Sequence, residues 1–145
     1  MKRTHDNIGF HLWNASNLWQ RELKLALLPH RLTSVQYVVL MSAYNLAERN
    51  EEVTQNDIAM DASTDPMTTS IALRGLQEKK LVARRPHKAD TRANSVSITS
   101  AGIILLKKAL KDVETAENEF FGKLKSQQAA FKKSLETFTS GAESE

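Results

Sequence analysis

Between Thr54 and Gly102 the hydrophobic period of the chain switches from helical to alternating, with helix-stopping punctuation on both sides of the switch. Few folds admit that order, so this segment constrains the architecture more than any other. Thr54 followed three residues later by Asp57 has the form of a capping box, with Asp where Glu or Gln is usual, and it precedes Ile58-Ala59-Met60. Turn-prone Asp61-Ala62-Ser63 keeps that helix short. Asp65-Pro66 then opens a second helix, because a carboxylate accepts orphan backbone N–H groups and Pro is tolerated at the first helical position. This helix is expected to run to about Lys79. Thr69, Ala72, Leu73 and Leu76 make its inward stripe, while Thr68, Ile71, Arg74 and Gly75 lie towards the other side.

After Lys80 the residues alternate. Leu81–Pro86 and Asn94–Thr99 read as two strands, with Val96 and Ile98 on one face, joined by the polar loop His87–Ala93. Helix, turn, Pro-opened helix and basic hairpin in that order describe a winged helix-turn-helix, which lays one helix in the DNA major groove and its hairpin on the backbone. From Arg74 to Arg92 there are seven bases (Arg74, Lys79, Lys80, Arg84, Arg85, Lys88, Arg92) and two acids (Glu78, Asp90). That +5 exceeds the +3 of the whole chain, so the positive charge is concentrated where a phosphate-binding surface needs it. Ile71, in the middle of a polar helix face, suits contact with thymine methyl groups. No aromatic residue lies between Tyr44 and Phe120, so this basic surface has no platform on which unpaired bases could stack. Duplex DNA is therefore favoured over single strands or RNA.

The same segment resembles the multiple-antibiotic-resistance regulator (MarR) family. The resemblance runs through Leu32–Leu40, Thr54–Ala59 and Leu76–Arg84, and is most specific at Asp90-Thr91-Arg92 followed by Val96–Gly102. It covers roughly Leu32 to Leu110. It implies a homodimer of triangular outline that represses or derepresses a few promoters. It also implies that Asp90 orients Arg92 at the wing tip; the alternative is a pair that merely stiffens the hairpin. Lys80 and Ser63 stand where this family favours glycine, so both must enter turns without glycine's freedom at positive φ. Ile71 stands where a basic residue is common in the family, so its operator preference cannot be transferred from relatives.

At 145 residues the chain is expected to form one unit: a mainly α fold with a small β-wing, in which residues 30–98 form the winged helix-turn-helix and residues 1–29 and 99–145 the helical dimerisation part. No apolar stretch approaches membrane length and no secretory core precedes the first helix, which points to a cytoplasmic protein. With no cysteine, disulfides, zinc–thiolate sites and thiol-based peroxide sensing are excluded.

The first helix is expected from about Asp6 to Leu28, with Ile8, Leu12, Ala15, Trp19, Leu23 and Ala26 as its stripe, widened by Trp13, Leu25 and Leu28. Thr33-Ser34-Val35-Gln36 is a true capping box that opens the next helix. A long helix starts at Thr99, carries Leu106, Leu110, Val113, Ala116 and Phe120, and stops near Gly122; from Thr99 to Phe121 it spans about 33 Å. A last helix begins near Ser126 and uses Phe131, Leu135 and Phe138. These helices carry more apolar surface than a small winged helix needs, and a second copy is the economical cover. Pairing also serves DNA binding, because two recognition helices must lie about 34 Å apart to enter successive major grooves. The alternative is an intramolecular bundle.

Met67, Thr68, Ser70, Ile71 and Arg74 are the recognition-helix candidates for base edges or adjacent backbone. Arg84, Arg85, Lys88, Asp90 and Arg92 are the wing candidates, and Gln55 a candidate phosphate donor or a plain solvent-facing neighbour of the cap. The family resemblance further implies a crevice for a small aromatic or phenolic effector, for which His11, Trp13, Tyr37, Met41 and Tyr44 are the candidates; aromatic and Met residues at helical spacing also serve as core. The four histidines lack the spacing of a metal site, and no phosphate loop, nucleophile elbow or acid pair beside a His points to an enzyme or a cofactor. The competing reading is a winged-helix protein-interaction module without DNA binding, for which Glu51, Glu52, Asp57 and Asp61 would suit a basic partner.

Overall fold

Four side chains start four helices. Thr33, Thr54, Asp65 and Thr99 each accept the backbone N–H three residues further on, satisfying a donor that the helix itself cannot. At Thr33 and Thr54 the box is reciprocal: Gln36 and Asp57 accept the cap residue's own N–H, so the shorter Asp serves at Thr54 as well. The computed structural model describes residues 6–50, 52–86 and 94–140. In chain order the elements are α1 (Ile8–Leu27), α2 (Ser34–Ala47), α3 (Gln55–Asp61), α4 (Pro66–Glu78), β1 (Val82–Pro86), β2 (Asn94–Ile98), α5 (Ser100–Phe121) and α6 (Gln128–Ser140).

Both helices of the helix-turn-helix stop in the same way. Lys80 has φ 61° and donates its N–H to Gln77, while Leu81 donates to the Leu76 carbonyl. Ser63 has φ 51° and donates to Met60, while Thr64 donates to Ala59. These are Schellman stops, with a left-handed residue just past the cap. Lys80 and Ser63 thus hold the glycine-favouring conformation that their positions demand.

β1 and β2 pair antiparallel, with Val82 opposite Ile98 and Arg84 opposite Val96. The other edge of β2 is also used. Thr54 bridges Ser95, and the Val96 N–H donates to the Val53 carbonyl at 2.8 Å. This third, very short strand joins the wing to the start of α3. It escapes sequence reading because Val53-Thr54 is too short to show an alternating pattern.

One apolar cluster takes Leu23 and Leu27 from α1, Val39 and Leu40 from α2, Ile58 from α3, Leu73 and Leu76 from α4, and Leu106, Ala109 and Val113 from α5. The inward stripe of α4 is the expected one: Thr69, Ala72, Leu73 and Leu76 are all buried. The 3-10 turn Leu28–His30 absorbs Pro29 after α1, and His30 Nε2 lies 2.6 Å from Asp112 Oδ2 on α5. Gly122 caps α5, and a 3-10 segment to Gln127 delays α6 by two residues from the expected start. Trp19 packs against Phe120 and Phe121 at centroid distances of 5.6 and 5.2 Å.

The N-terminal half of α1 does not share this core. Only Leu23 and Leu27 of α1 are buried, whereas Ile8 is 85% exposed, and Leu12 and Trp13 are exposed with it. On α6, Phe131, Leu135 and Phe138 are exposed too.

Candidate nucleic-acid interface

α4 has two working faces. Its buried stripe sits on the core, and the opposite line runs Met67, Ile71, Arg74 and Glu78, all exposed. Met67 is 73% and Ile71 60% exposed, so two apolar side chains one turn apart stand in the middle of the outermost surface. Arg74 follows them at the next turn.

The flanks of this line are hydrogen-bonded. Asp65 accepts the Thr68 N–H at 2.7 Å and its hydroxyl at 2.6 Å. The hydroxyl bond, then the backbone bond, hold the Asp65 carboxyl below the usual carboxylate range. Thr68 is thereby fixed at the helix start, half-buried. Gly75 does not face outward with Ile71: a Cβ there would lie 2.5 Å from Gln36 Nε2, so α4 runs close under α2 at this point. Lys79 secures the same flank, donating to the Arg31 carbonyl and, at 3.1 Å, to Gln36 Oε1.

The two adjacent wing arginines point opposite ways, as strand alternation requires. Arg84, opposite buried Val96, faces the helices and is half-buried; Arg85 is exposed on the other side. Arg84 Nε donates to Gln77 Oε1 at 3.1 Å, and its Nη1 donates to Gln55 Oε1 at 3.2 Å and Ser70 Oγ at 3.4 Å. The structure therefore brings Gln55, Ser70 and Arg84 together, while Met67, Ile71, Arg74 and Arg85 stay open to solvent. Gln77 was missed by the sequence reading. Its signal was the seven-residue spacing from Ser70, which places both on one side of the helix. Lys88, Asp90 and Arg92 lie outside the described residues.

The five effector candidates are spread out. His11 and Trp13 are exposed on the first half of α1. Tyr37 is 4% exposed, inside the core; burial pushes its phenol up to about 12, with Glu117 and Glu114 adding to the effect. Met41 and Tyr44 are half-buried on the same helix, and Glu48 raises the Tyr44 phenol. A cavity of about 480 Å³ opens elsewhere, between the end of α5 and α6, lined by Phe121, Leu124, Phe131 and Leu135 among others. None of the five candidates lines it. Among the described residues no cluster of His, Asp and Glu could hold a metal ion, and no helix is long and apolar enough to cross a membrane.

A capped helix pair with an exposed second helix, followed by a two-stranded basic wing, defines a winged helix-turn-helix protein. The MarR family model matches residues 32–93. Over 133 residues the chain is 36% identical to the uncharacterized HTH-type transcriptional regulator YdcH of Bacillus subtilis, covering 92% of this chain and 85% of that one. Two solved structures share the fold at 25% identity. CouR from Rhodococcus jostii RHA1 bound to p-coumaroyl-CoA has a TM-score of 0.79 and 96% coverage of both chains. The MepR–DNA complex of S. aureus has a TM-score of 0.78, covering 93% of this chain and 98% of that one. The chain belongs to the MarR family of winged-helix transcriptional regulators.

Proposed function

We propose that the protein is a cytoplasmic, homodimeric repressor that binds a pseudo-palindromic duplex operator and is released by a small aromatic or phenolic effector. The observation that carries DNA binding is the outermost line of α4. Met67, Ile71 and Arg74 are exposed there although two of them are apolar, and they are bordered by the cationic wing. In the major groove Arg74 reads a guanine edge or a phosphate, and Ile71 with Met67 meets thymine methyl groups. Thr68 and Ser70 support this line from its flanks, and Gln55 and Arg85 reach the backbone. The family resemblance adds Lys88, Asp90 and Arg92 to the residues proposed for contact with the DNA backbone.

The second copy is supported by the apolar residues that one protomer leaves in solvent: Ile8, Leu12 and Trp13 on α1, and Phe131, Leu135 and Phe138 on α6. The effector is supported by the solved relative that carries p-coumaroyl-CoA. In this chain Tyr37, Met41 and Tyr44 on α2, with His11 and Trp13 on α1, are the residues proposed to meet it.

An electrophoretic titration of operator DNA tests the DNA reading. Arg92→Ala weakens binding while the protein stays dimeric, and the logarithm of affinity falls steeply and linearly with the logarithm of salt concentration. Undiminished affinity of the variant, together with a flat salt plot, would refute phosphate contact by the wing.

A further inference from the structure

Around Arg84 the polar side chains of three elements face one another. One guanidinium from β1 is bonded to the first residue of α3 and to two residues of α4 spaced two turns apart. At the root of the hairpin the Leu81 N–H donates to Leu76 at the end of α4, and level with Arg84 the outer edge of β2 pairs with Val53 and Thr54, which joins the wing to α3. Arg84 adds a tie from the body of the hairpin to α4, at Ser70 and Gln77.

All three of these acceptors are neutral side chains, and the planar fork of the guanidinium fixes the direction of each bond. Reaching a phosphate directly would mean leaving three acceptors and turning across the strand from the face that also carries buried Val82 and Val96. Gln55, with its Oε1 held by Arg84, presents its Nε2–H donors on the side away from the guanidinium. That amide is polarised towards an anion by the charge behind it.

We infer that Arg84 is a positioning residue for operator recognition: it sets the angle between α4 and the wing and aims the Gln55 amide, without contacting DNA itself. This rests on the proposal that the chain binds duplex DNA. If the inference holds, sequence discrimination depends on the forked geometry of Arg84, and its positive charge alone is not enough.

The test compares Arg84→Lys, which keeps the charge and loses the fork, with Gln77→Leu, which removes one exposed acceptor, and with Arg85→Ala. The probes are a duplex selected by the wild-type protein from random-sequence DNA and a scrambled duplex of equal length, each titrated over a range of KCl. Arg84→Lys and Gln77→Leu should lower the ratio of selected to scrambled affinity by about tenfold, with the salt slope unchanged. Arg85→Ala should weaken both duplexes and reduce the slope by about one. A general loss of stability would weaken both duplexes alike and leave the ratio intact, which counts against the inference. An unchanged ratio in Arg84→Lys or in Gln77→Leu also overturns it. Wild-type protein that enriches no duplex overturns the DNA reading and the inference with it, whereas wild-type enrichment with unaffected variants overturns the inference alone.

Discussion

The Thr99 hydroxyl lies 2.8 Å from the carbonyl of Lys80, the left-handed residue at which the recognition helix stops. The same oxygen accepts the Gly102 N–H at 3.0 Å, and the Thr99 N–H donates to Leu81 at 3.0 Å. The exit of α4 and the entry of α5 are therefore one hydrogen-bonded unit. It closes tightly because residue 102 has no side chain: a Cβ there would collide with the Leu81 carbonyl oxygen and crowd Ile98.

Thr99→Val tests that unit. It keeps the shape of the side chain and removes both the cap and the bond back to the end of α4. A loss of about 1–2 kcal/mol is expected from the cap and one net hydrogen bond. Urea unfolding at fixed protein concentration measures it, and a midpoint equal to the wild type would show that the junction is held by packing alone.

Lys80→Gly and Ser63→Gly should each stabilise the fold. A non-glycine residue in the left-handed region costs about 1–2 kcal/mol, and the added freedom of glycine in the unfolded chain returns about 0.4–1 kcal/mol of that. Both side chains are exposed, so little packing is lost. The expected net gain is about 0.5–1 kcal/mol per site. Thermal or urea midpoints that fall in both variants would contradict the strain assigned to these two positions.

Tyr37 gives an alkaline limit to stability. Below pH 10 its phenol is neutral in both the folded and unfolded chain. Between the ordinary value of 10.0 and about 12 the unfolded chain ionises and the folded chain does not, so stability falls as pH rises through that window. Tyr44, raised by Glu48, adds a contribution of the same sign. In Tyr37→Phe the decline of the unfolding midpoint over this range should be shallower; parallel curves for variant and wild type would show that the phenol is not protected by burial.

Local chemistry made much of this fold legible in the sequence. Thr33, Thr54, Asp65 and Thr99 act within three residues of themselves, and the stripe Thr69, Ala72, Leu73 and Leu76 needs only the helical period. The positive φ of Lys80 and Ser63 was expected from the family resemblance, in which both positions favour glycine. What was not readable depends on partners distant in sequence. His30 meets Asp112 across 82 positions, and Val53 pairs with β2 across the whole helix-turn-helix. Arg84 is the instructive case. As one of several wing bases it suggests a phosphate contact, but its parity with Val82, two residues earlier, already placed it on the inner face of the strand. Charge counting overlooked that parity.

Selection of random-sequence duplexes by the purified protein, read by sequencing, tests the central claim most directly. The account predicts enrichment of an inverted repeat whose half-site centres lie about 10 base pairs apart, or a multiple of that turn. Thymines are expected where Ile71 and Met67 meet the groove. Enrichment of no motif, or of a single unpaired half-site by a monomer, would contradict it.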